Sequence, residues 1–128
     1  MRVLVTGGRN YADRGDVFRV LDEIHAETPI EMILHGACGW DGDQPGDFDD
    51  AKLRGADRWA HEWAAARRVA TLAMAAKWTT QRAAAGPLRN AQLVAYGANL
   101  CVAFPGGVGT ADCVRKAIAA GIKLRDER

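Results

Sequence analysis

Cysteines, long apolar stretches and excess charge of either sign are all scarce in this chain of 128 residues. Its three cysteines, Cys38, Cys101 and Cys113, have no C-x-x-C spacing, so we expect free thiols in a reducing compartment. No apolar stretch approaches the length of a membrane span, and no signal-peptide segment precedes the first apolar run at residues 3–6. These absences predict a cytoplasmic protein.

The chain also lacks a charge excess. Seventeen basic and sixteen acidic residues leave a formal net charge of +1, so no overall field attracts nucleic acid or an anionic membrane. Grooves for single-stranded nucleic acid need many cations, which argues against nucleic acid as a partner. With 48% hydrophobic and 26% charged residues, the composition is ordinary for one globular domain over residues 1–128.

Short apolar runs alternate with helical patterns along the sequence. The runs are residues 3–6, 31–34, 69–74 and 100–104, and stripes at helical spacing begin near Val17, Trp59, Leu88 and Val114. This alternation predicts an α/β fold with a parallel sheet of four to five strands, the fifth being an edge strand at residues 121–124. A proline at the first helical position is expected at Pro87. Residues 38–53, rich in glycine and aspartate, interrupt the alternation as an inserted acidic loop.

The most informative segment is the turn Pro105-Gly106-Gly107-Val108-Gly109-Thr110, which ends an apolar run and precedes a helix. Its glycines let the backbone approach a ligand, and the helix start offers free N–H donors and a positive dipole end, which suit a phosphate. It is neither a Walker loop nor a G-x-G-x-x-G motif, and a plain tight turn is the alternative. Glycines also follow two other strands, at Gly7-Gly8 and Gly36. Since ligands of open α/β sheets bind beyond the carboxyl ends of the strands, this coincidence favours a nucleotide site.

Five segments of the chain, taken together, form a recognisable set. They are Thr6-Gly7-Gly8-Arg9-Asn10-Tyr11, His35-Gly36-Ala37, Gly55-Ala56-Asp57-Arg58, Ala85-Gly86-Pro87-Leu88-Arg89-Asn90 and Phe104-Pro105-Gly106-Gly107-Val108-Gly109-Thr110-Ala111. This set resembles the SLOG superfamily, and most closely its small YpsA-related branch. The resemblance implies a three-layer Rossmann-like domain that binds a nucleotide, a nucleotide-sugar or a signal derived from NAD, such as ADP-ribose. It also suggests a homo-oligomer, since relatives in this superfamily commonly associate.

The chain is distantly similar to the "lonely guy" phosphoribohydrolases of that superfamily, which cleave the N-glycosidic bond of a nucleoside monophosphate. Arg89 matches their motif arginine, but Asn90 replaces the following lysine and Cys113 replaces a glutamate. A carboxylate would stabilise the oxocarbenium charge of such a cleavage, whereas a neutral thiol cannot. Asp112 points about 100° away around the helix, so we expect it to complement the helix dipole.

The missing glutamate favours a module that senses, carries or sequesters its ligand. An enzyme with Asp112 or Asp57 as the carboxylate is the alternative. We expect Arg9 and Arg89 to bind the phosphate, and Asp57 to cap a helix while reaching ribose hydroxyls, as the resemblance implies. Tyr11 either stacks on a base or covers the sheet end, and His35 either contacts the ligand or is structural. The predicted ligand-binding residues are Gly7, Gly8, Arg9, Tyr11, His35, Gly36, Asp57, Arg89, Asn90, Pro105, Gly106, Gly107, Gly109 and Thr110.

Two further features leave alternatives open. Read as a calcium loop from Asp41, the acidic loop places Asp43, Asp47 and Asp49 at ligand positions, but Pro45 and Lys52 stand where two further ligands are needed. We therefore predict a solvated loop and no metal, and a lid over the site is a separate hypothesis for this loop, since it follows the second strand at the ligand edge. No cofactor is expected. Trp59 and Trp63, four residues apart, form either part of the core or a homodimer surface.

Overall fold

Five parallel strands form one sheet with helices on both faces in the computed structural model, which describes residues 1–46 and 48–128. The strands are β1 (Arg2–Thr6), β2 (Met32–His35), β3 (Ala70–Ala73), β4 (Leu100–Ala103) and β5 (Lys123–Asp126). Their order across the sheet is β3-β2-β1-β4-β5, with Val3 of β1 paired to both Ile33 and Leu100. The α/β fold expected from the sequence is confirmed, and the fifth strand lies at the edge of the sheet but two residues later than the expected 121–124.

Five α-helices connect these strands. They are α1 (Arg14–Glu27), α2 (Gly55–Arg67), α3 (Trp78–Gln81), α4 (Ala85–Tyr96) and α5 (Val108–Ala119), with short 3-10 helices at Asp50–Lys52 and Arg82–Ala84. Within the described residues, none of the helices combines the length and apolar character needed to cross a membrane. Because α4 begins at Ala85, Pro87 is its third residue and not its first. Proline costs little there, since N–H groups of a first turn have no acceptor within the helix.

Successive side chains of the strands lie on opposite faces of the sheet and pack into two apolar layers, as expected for a sheet covered on both faces. Val3 and Val5 of β1 pack with α1 and α2, whereas Leu4 packs with residues of α4 and α5. Helices α1 and α2 therefore cover one face of the sheet, and α4 and α5 cover the other. This is the three-layer Rossmann-like arrangement.

Trp63 belongs to the first of these layers. Its side chain is 0% exposed and its indole N–H donates a 2.9 Å hydrogen bond to Asp22 of α1. Trp59, one turn earlier, is partly buried and donates its indole N–H to the carbonyl of Tyr11 at 2.7 Å. The core interpretation is therefore correct for Trp63, which offers no surface to a partner subunit. The expected dimer stays a prediction.

The order in which strands are added to the sheet reverses between β1 and β4. The chain runs outward from β1 through β2 to β3, then returns to the opposite side of β1 as β4. Beyond the strand ends, Phe104 N–H donates to Thr6 O and Gly8 N–H donates to Pro105 O, both at 2.9 Å. These bonds hold the turns after β1 and β4 side by side, at the switch point where open α/β sheets bind ligands.

Candidate functional site

A cavity of about 550 Å³ lies beyond the carboxyl ends of β1 and β4, with α4 and α5 on one side. Its volume falls within the range of small-molecule sites. Ten of the fourteen residues predicted to bind a ligand line this cavity. They are Gly7, Gly8, Arg9, Gly36, Asp57, Arg89, Asn90, Gly107, Gly109 and Thr110. Segments far apart in the sequence are thus brought together.

Helix α5 begins at this cavity with an uncapped N-terminus. Gly107 is the N-cap residue, and no described side chain accepts a hydrogen bond from the first turn. The first backbone N–H groups of a helix have no acceptor within it, and they lie at the positive end of the helix dipole. Helix α1 instead has a side-chain cap, because the carboxylate of its N-cap residue Asp13 accepts from Asp16 N–H at 2.9 Å, whereas α2 and α4 lack such a cap as α5 does. The start of α5 is therefore suited to an anion supplied from outside.

Gly106, Gly107 and Gly109 lie before and at the start of α5, and the reason for glycine differs among these positions. A Cβ on Gly106 would overlap the Thr110 hydroxyl and lie 2.8 Å from the Gly8 nitrogen, so packing of the two turns excludes a side chain there. A Cβ on Gly107 or Gly109 would meet no described atom within 4 Å. Gly106 is thus explained by the fold, whereas the space beside Gly107 and Gly109, which both line the cavity, is open.

Arg89 and Asn90 of α4 connect three parts of the cavity. The Arg89 guanidinium donates to Gly36 O and, at 2.9 Å, to the side-chain oxygen of Asn90. The Asn90 amide in turn donates to Gly109 O at 3.1 Å. A Cβ on Gly36 would lie 2.5 Å from the Arg89 Nη1 atom, so the absence of a side chain at this position admits the guanidinium. These bonds fix both cation and amide against the start of α5.

Asp57 is a buried carboxylate in the cavity wall, 6% exposed. Burial raises its pKa to about 6, although the Arg89 charge and the N–H groups of Cys38 and Gly36 oppose the shift. The expected helix-capping role is wrong. Helix α2 begins at Gly55, so Asp57 is its third residue, and its carboxylate accepts from Cys38 N–H at 3.1 Å instead. Asp57 thus fastens the loop after β2 to α2.

Asp112 also lines the cavity, but its oxygens are occupied. One accepts from the Arg115 guanidinium, and the other accepts from Lys116 Nζ at 2.8 Å and from the Asn90 amide at 3.1 Å. Burial would raise its pKa, but the hydrogen bonds from Lys116 and Asn90 outweigh it and hold the pKa below its usual value. Asp112 therefore joins α5 to α4 as a permanent anion, a role more specific than the expected complement to the dipole.

Cys113 lines the cavity. It is buried beside Cys101 of β4, and a hydrogen bond between the two thiols lowers the pKa of Cys113 while raising that of Cys101. All three cysteines are free in the part of the chain that the structure describes, in keeping with the prediction of free thiols.

The structure places four predicted ligand residues outside the described cavity lining: Tyr11, His35, Pro105 and Gly106. The Tyr11 ring stacks on Phe104 with centroids 5.6 Å apart, and burial with the hydrogen bond to Asp16 raises its pKa to about 12. Tyr11 thus covers the sheet end. Pro105 and Gly106 shape the turn, through Pro105 O and the close approach to Thr110.

His35 is fully buried on the opposite face of the sheet. Its Nδ1 accepts from Ala37 N–H at 3.0 Å, which fixes the tautomer, and its Nε2–H donates to Nδ1 of His61 on α2 at 2.9 Å. Burial lowers the pKa of His35 to about 3, assisted by His61 and Arg89, so the ring is neutral. Both nitrogens are used within the protein, and the structural interpretation is the correct one.

The acidic loop does not form a lid in its described part. Of its residues, only Cys38 lines the cavity. The Asp41 and Asp43 carboxylates accept from N–H and hydroxyl groups at the start of α3, and Asp49 accepts from Ala51 N–H. Asp47 lies outside the described residues.

Several cavity residues were not among the predicted contacts, and Trp78 is the largest. Trp78 follows the third strand, at the same edge of the sheet as the glycine turns. This position in the sequence was the feature that could have indicated a contact with the ligand. Thr6, Cys38, Val108 and Arg115 also line the cavity.

Comparison with known proteins agrees with this arrangement. Residues 1–44 match the family YAcAr, described as the YspA, cpYpsA-related SLOG family. The chain is 37% identical over 131 residues to "Gene 61 protein" of Mycobacterium phage D29, an alignment that covers 96% of this chain and 93% of the phage protein. No solved structure matches the chain. The fold, the glycine turns and these matches show that the chain belongs to the YspA, cpYpsA-related SLOG family.

Proposed function

We propose that the cavity binds the phosphate of a nucleotide or nucleotide-derived ligand, and that the protein senses, carries or sequesters this ligand. The observation that carries the proposal is the uncapped start of α5, with open space beside Gly107 and Gly109. Packing of the described residues does not require glycine at either position. A phosphate resting on the N–H groups of Val108, Gly109 and Thr110 would require it, because only a bare backbone lets the anion approach.

Cations around the cavity support an anionic ligand. Three arginines line it: Arg9 after β1, Arg89 on α4 and Arg115 on α5. Arg89 and Arg115 use part of their hydrogen-bonding capacity on Gly36, Asn90 and Asp112. Arg9 is exposed and forms no ion pair with any described residue. A guanidinium offers five N–H donors and suits bidentate binding of a phosphate, so Arg9 completes the site from its rim.

Family membership supports the nucleotide-related class of ligand, whereas the name of the phage protein says nothing about a ligand. We further propose that residues 1–128 act as one nucleotide-binding domain in the cytoplasm, with residues 38–53 as an insertion and with assembly into a homodimer. The single sheet built from segments at both ends of the sequence supports the first of these proposals.

A thermal-shift screen tests the proposed ligand class. The purified protein is scanned with nucleoside mono-, di- and triphosphates, cyclic nucleotides, ADP-ribose and NAD, each beside its phosphate-free nucleoside. We expect at least one phosphorylated compound to raise the melting temperature, since a ligand at a hundredfold excess over its Kd stabilises the folded state by about 2.7 kcal/mol. The nucleosides should give little or no shift.

Arg9→Ala provides the matched variant for that screen. Losing a charge-assisted contact to phosphate should weaken binding by about tenfold or more while leaving the melting temperature of the free protein unchanged. Arg19→Ala on α1, which removes only exposed ion pairs on the other face of the sheet, is the control. A screen without any phosphate-dependent shift would contradict the proposal.

A second candidate function rests on Asp57. A buried carboxylic acid with a pKa near 6 can donate a proton at neutral pH, as the departing base of a nucleoside monophosphate requires. The alternative is therefore a phosphoribohydrolase-like enzyme with Asp57 as general acid. Asp112 is a poorer candidate for that role, because its hydrogen bonds hold it ionised.

Release of free base from nucleoside monophosphates across the pH range tests this candidate. The active form carries the proton on Asp57, so the rate should be constant below pH 6 and fall about tenfold for each pH unit above it. Asp57→Asn should abolish release, whereas Asp112→Asn should retain it. Absence of free base at every pH, with ligand binding intact, would leave the binding module as the function.

A further inference from the structure

Trp78 is a large aromatic side chain that remains 43% exposed at the cavity. Its ring rests against the start of α4, where the Cη2 atom would lie only 3.2 Å from a Cβ on Gly86. A Cβ there would be closer than most real contacts, so glycine at position 86 makes room for the edge of the indole ring. Trp78 and the start of α5 thus line the same cavity, and Trp78 is an aromatic part of its wall.

The acidic loop holds the short helix that carries Trp78. The Asp41 carboxylate accepts from Trp78 N–H at 3.1 Å and from the Thr79 hydroxyl at 2.6 Å, and the Asp43 carboxylate accepts from Thr80 N–H at 2.9 Å. Between these aspartates, Gly42 N–H donates to Ala76 O at 2.9 Å. A helix of four residues has almost no stability of its own. Its position therefore depends on these bonds from the loop.

We infer that Trp78 is the surface on which the base of a nucleoside phosphate stacks, and that Asp41 and Asp43 are positioning residues for it. The inference rests on the proposed function and adds to it the side chain that holds the base of the nucleotide. A phosphate needs only the start of α5 and the arginines. An exposed indole held by a dedicated loop adds affinity for a flat ring, because stacking uses the face of any base. It also gives the acidic loop a purpose other than that of a lid.

Calorimetric titration with two kinds of probe tests the role of Trp78. The probes are the four ribonucleoside monophosphates and ribose 5-phosphate, which lacks a base. The wild-type protein should bind at least one nucleotide about tenfold to a hundredfold more tightly than ribose 5-phosphate. Trp78→Ala should erase this difference and leave the affinity for ribose 5-phosphate unchanged. Trp78→Phe should keep part of it.

Tryptophan fluorescence distinguishes stacking from a purely structural role, because only a stacked base would quench the emission of Trp78. The chain has four tryptophans, of which Trp63 is buried in the core and Trp59 packs against it. A nucleotide stacked on Trp78 should quench the emission of the wild-type protein, and Trp78→Phe should abolish that quenching while still binding the nucleotide.

The positioning role has its own matched pair of variants. Asp41→Ala removes the acceptors for Trp78 and Thr79 and should reduce the preference for nucleotide over ribose 5-phosphate by about three- to tenfold, whereas Asp41→Asn keeps an acceptor and should restore most of it. Asp49→Ala is the control, since Asp49 lies in the same loop but accepts from Ala51 N–H and makes no bond to α3. It should leave the preference unchanged.

The possible results separate the inference from the proposed function. Equal affinity of the wild-type protein for nucleotides and ribose 5-phosphate would overturn the stacking role and leave the phosphate site standing. A Trp78→Ala variant that loses both ligands equally would overturn it as well. Failure of every phosphorylated probe to bind would remove the proposed function and the inference together.

Discussion

Gly109→Ala is expected to stabilise the free protein while weakening its binding of a phosphorylated ligand by about tenfold to a hundredfold. Alanine in a helix is favoured over glycine by roughly 0.5–1 kcal/mol, and no described atom opposes a Cβ at this position. The same Cβ would occupy the open space beside the start of α5. An anion held off the helix start loses charge-assisted hydrogen bonds that contribute about 1.5–3 kcal/mol each.

The measurement pairs thermal unfolding of the free protein with calorimetric titration of the ligand found in the screen. Gly15→Ala is the matched control, because Gly15 is also the second residue of its helix and a Cβ there would lie an ordinary 3.6 Å from the Asp13 carboxylate. It should raise stability to a similar extent without any change in affinity. Unchanged affinity of Gly109→Ala would mean that the anion does not bind at the start of α5.

Trp63→Ala is expected to lower the free energy of unfolding by about 3–5 kcal/mol, the cost of removing a buried large aromatic side chain. Trp63 is 0% exposed and lies between α1 and the sheet, so its loss leaves a cavity and also removes the hydrogen bond to Asp22. Urea unfolding followed by circular dichroism measures the effect. The protein should keep the same mass in solution, since the change lies inside the chain.

Trp78→Ala is the control for this loss, because an exposed tryptophan at the cavity contributes little to packing. We expect its free energy of unfolding to stay within about 1 kcal/mol of the wild-type value. A Trp63→Ala variant that unfolds like the wild type but dissociates from a dimer would contradict the core assignment and restore the interface interpretation of α2.

The alternation of apolar runs and helical stripes was enough to predict the sheet, its parallel strands and the edge to which the glycine turns belong. Continuous apolar runs are typical of strands buried on both faces, and each turn followed its run directly. The prediction of the start of α2 failed because of a contact distant in sequence. Ala56 N–H donates to Gly8 O at 3.3 Å, so the helix begins against the loop after β1 and not at Asp57.

His35 shows what the local pattern could not provide. Side chains alternate along β2, so His35 lies on the same face as Ile33, which packs with α1 and α2. The cavity forms on the other face, beside α4 and α5, and that depends on how the chain crosses back to β4. Trp78 follows β3 at the ligand edge of the sheet, but the four residues of α3 are too few for helical periodicity to indicate which side chain lines the cavity.

The strand order has a consequence for the protein during its synthesis. The central strand β1 is made first, yet the neighbour on one of its sides, β4, arrives only when Leu100 and the residues after it have been added. Until then one edge of an apolar strand remains open, and such an edge can pair with other chains. The ribosome must therefore release most of the chain before this edge is covered, and the turns that hold the cavity together are among the last parts to form. Only the completely folded chain should therefore bind the ligand. Fragments that end before β4 should aggregate, because one edge of β1 stays open in them.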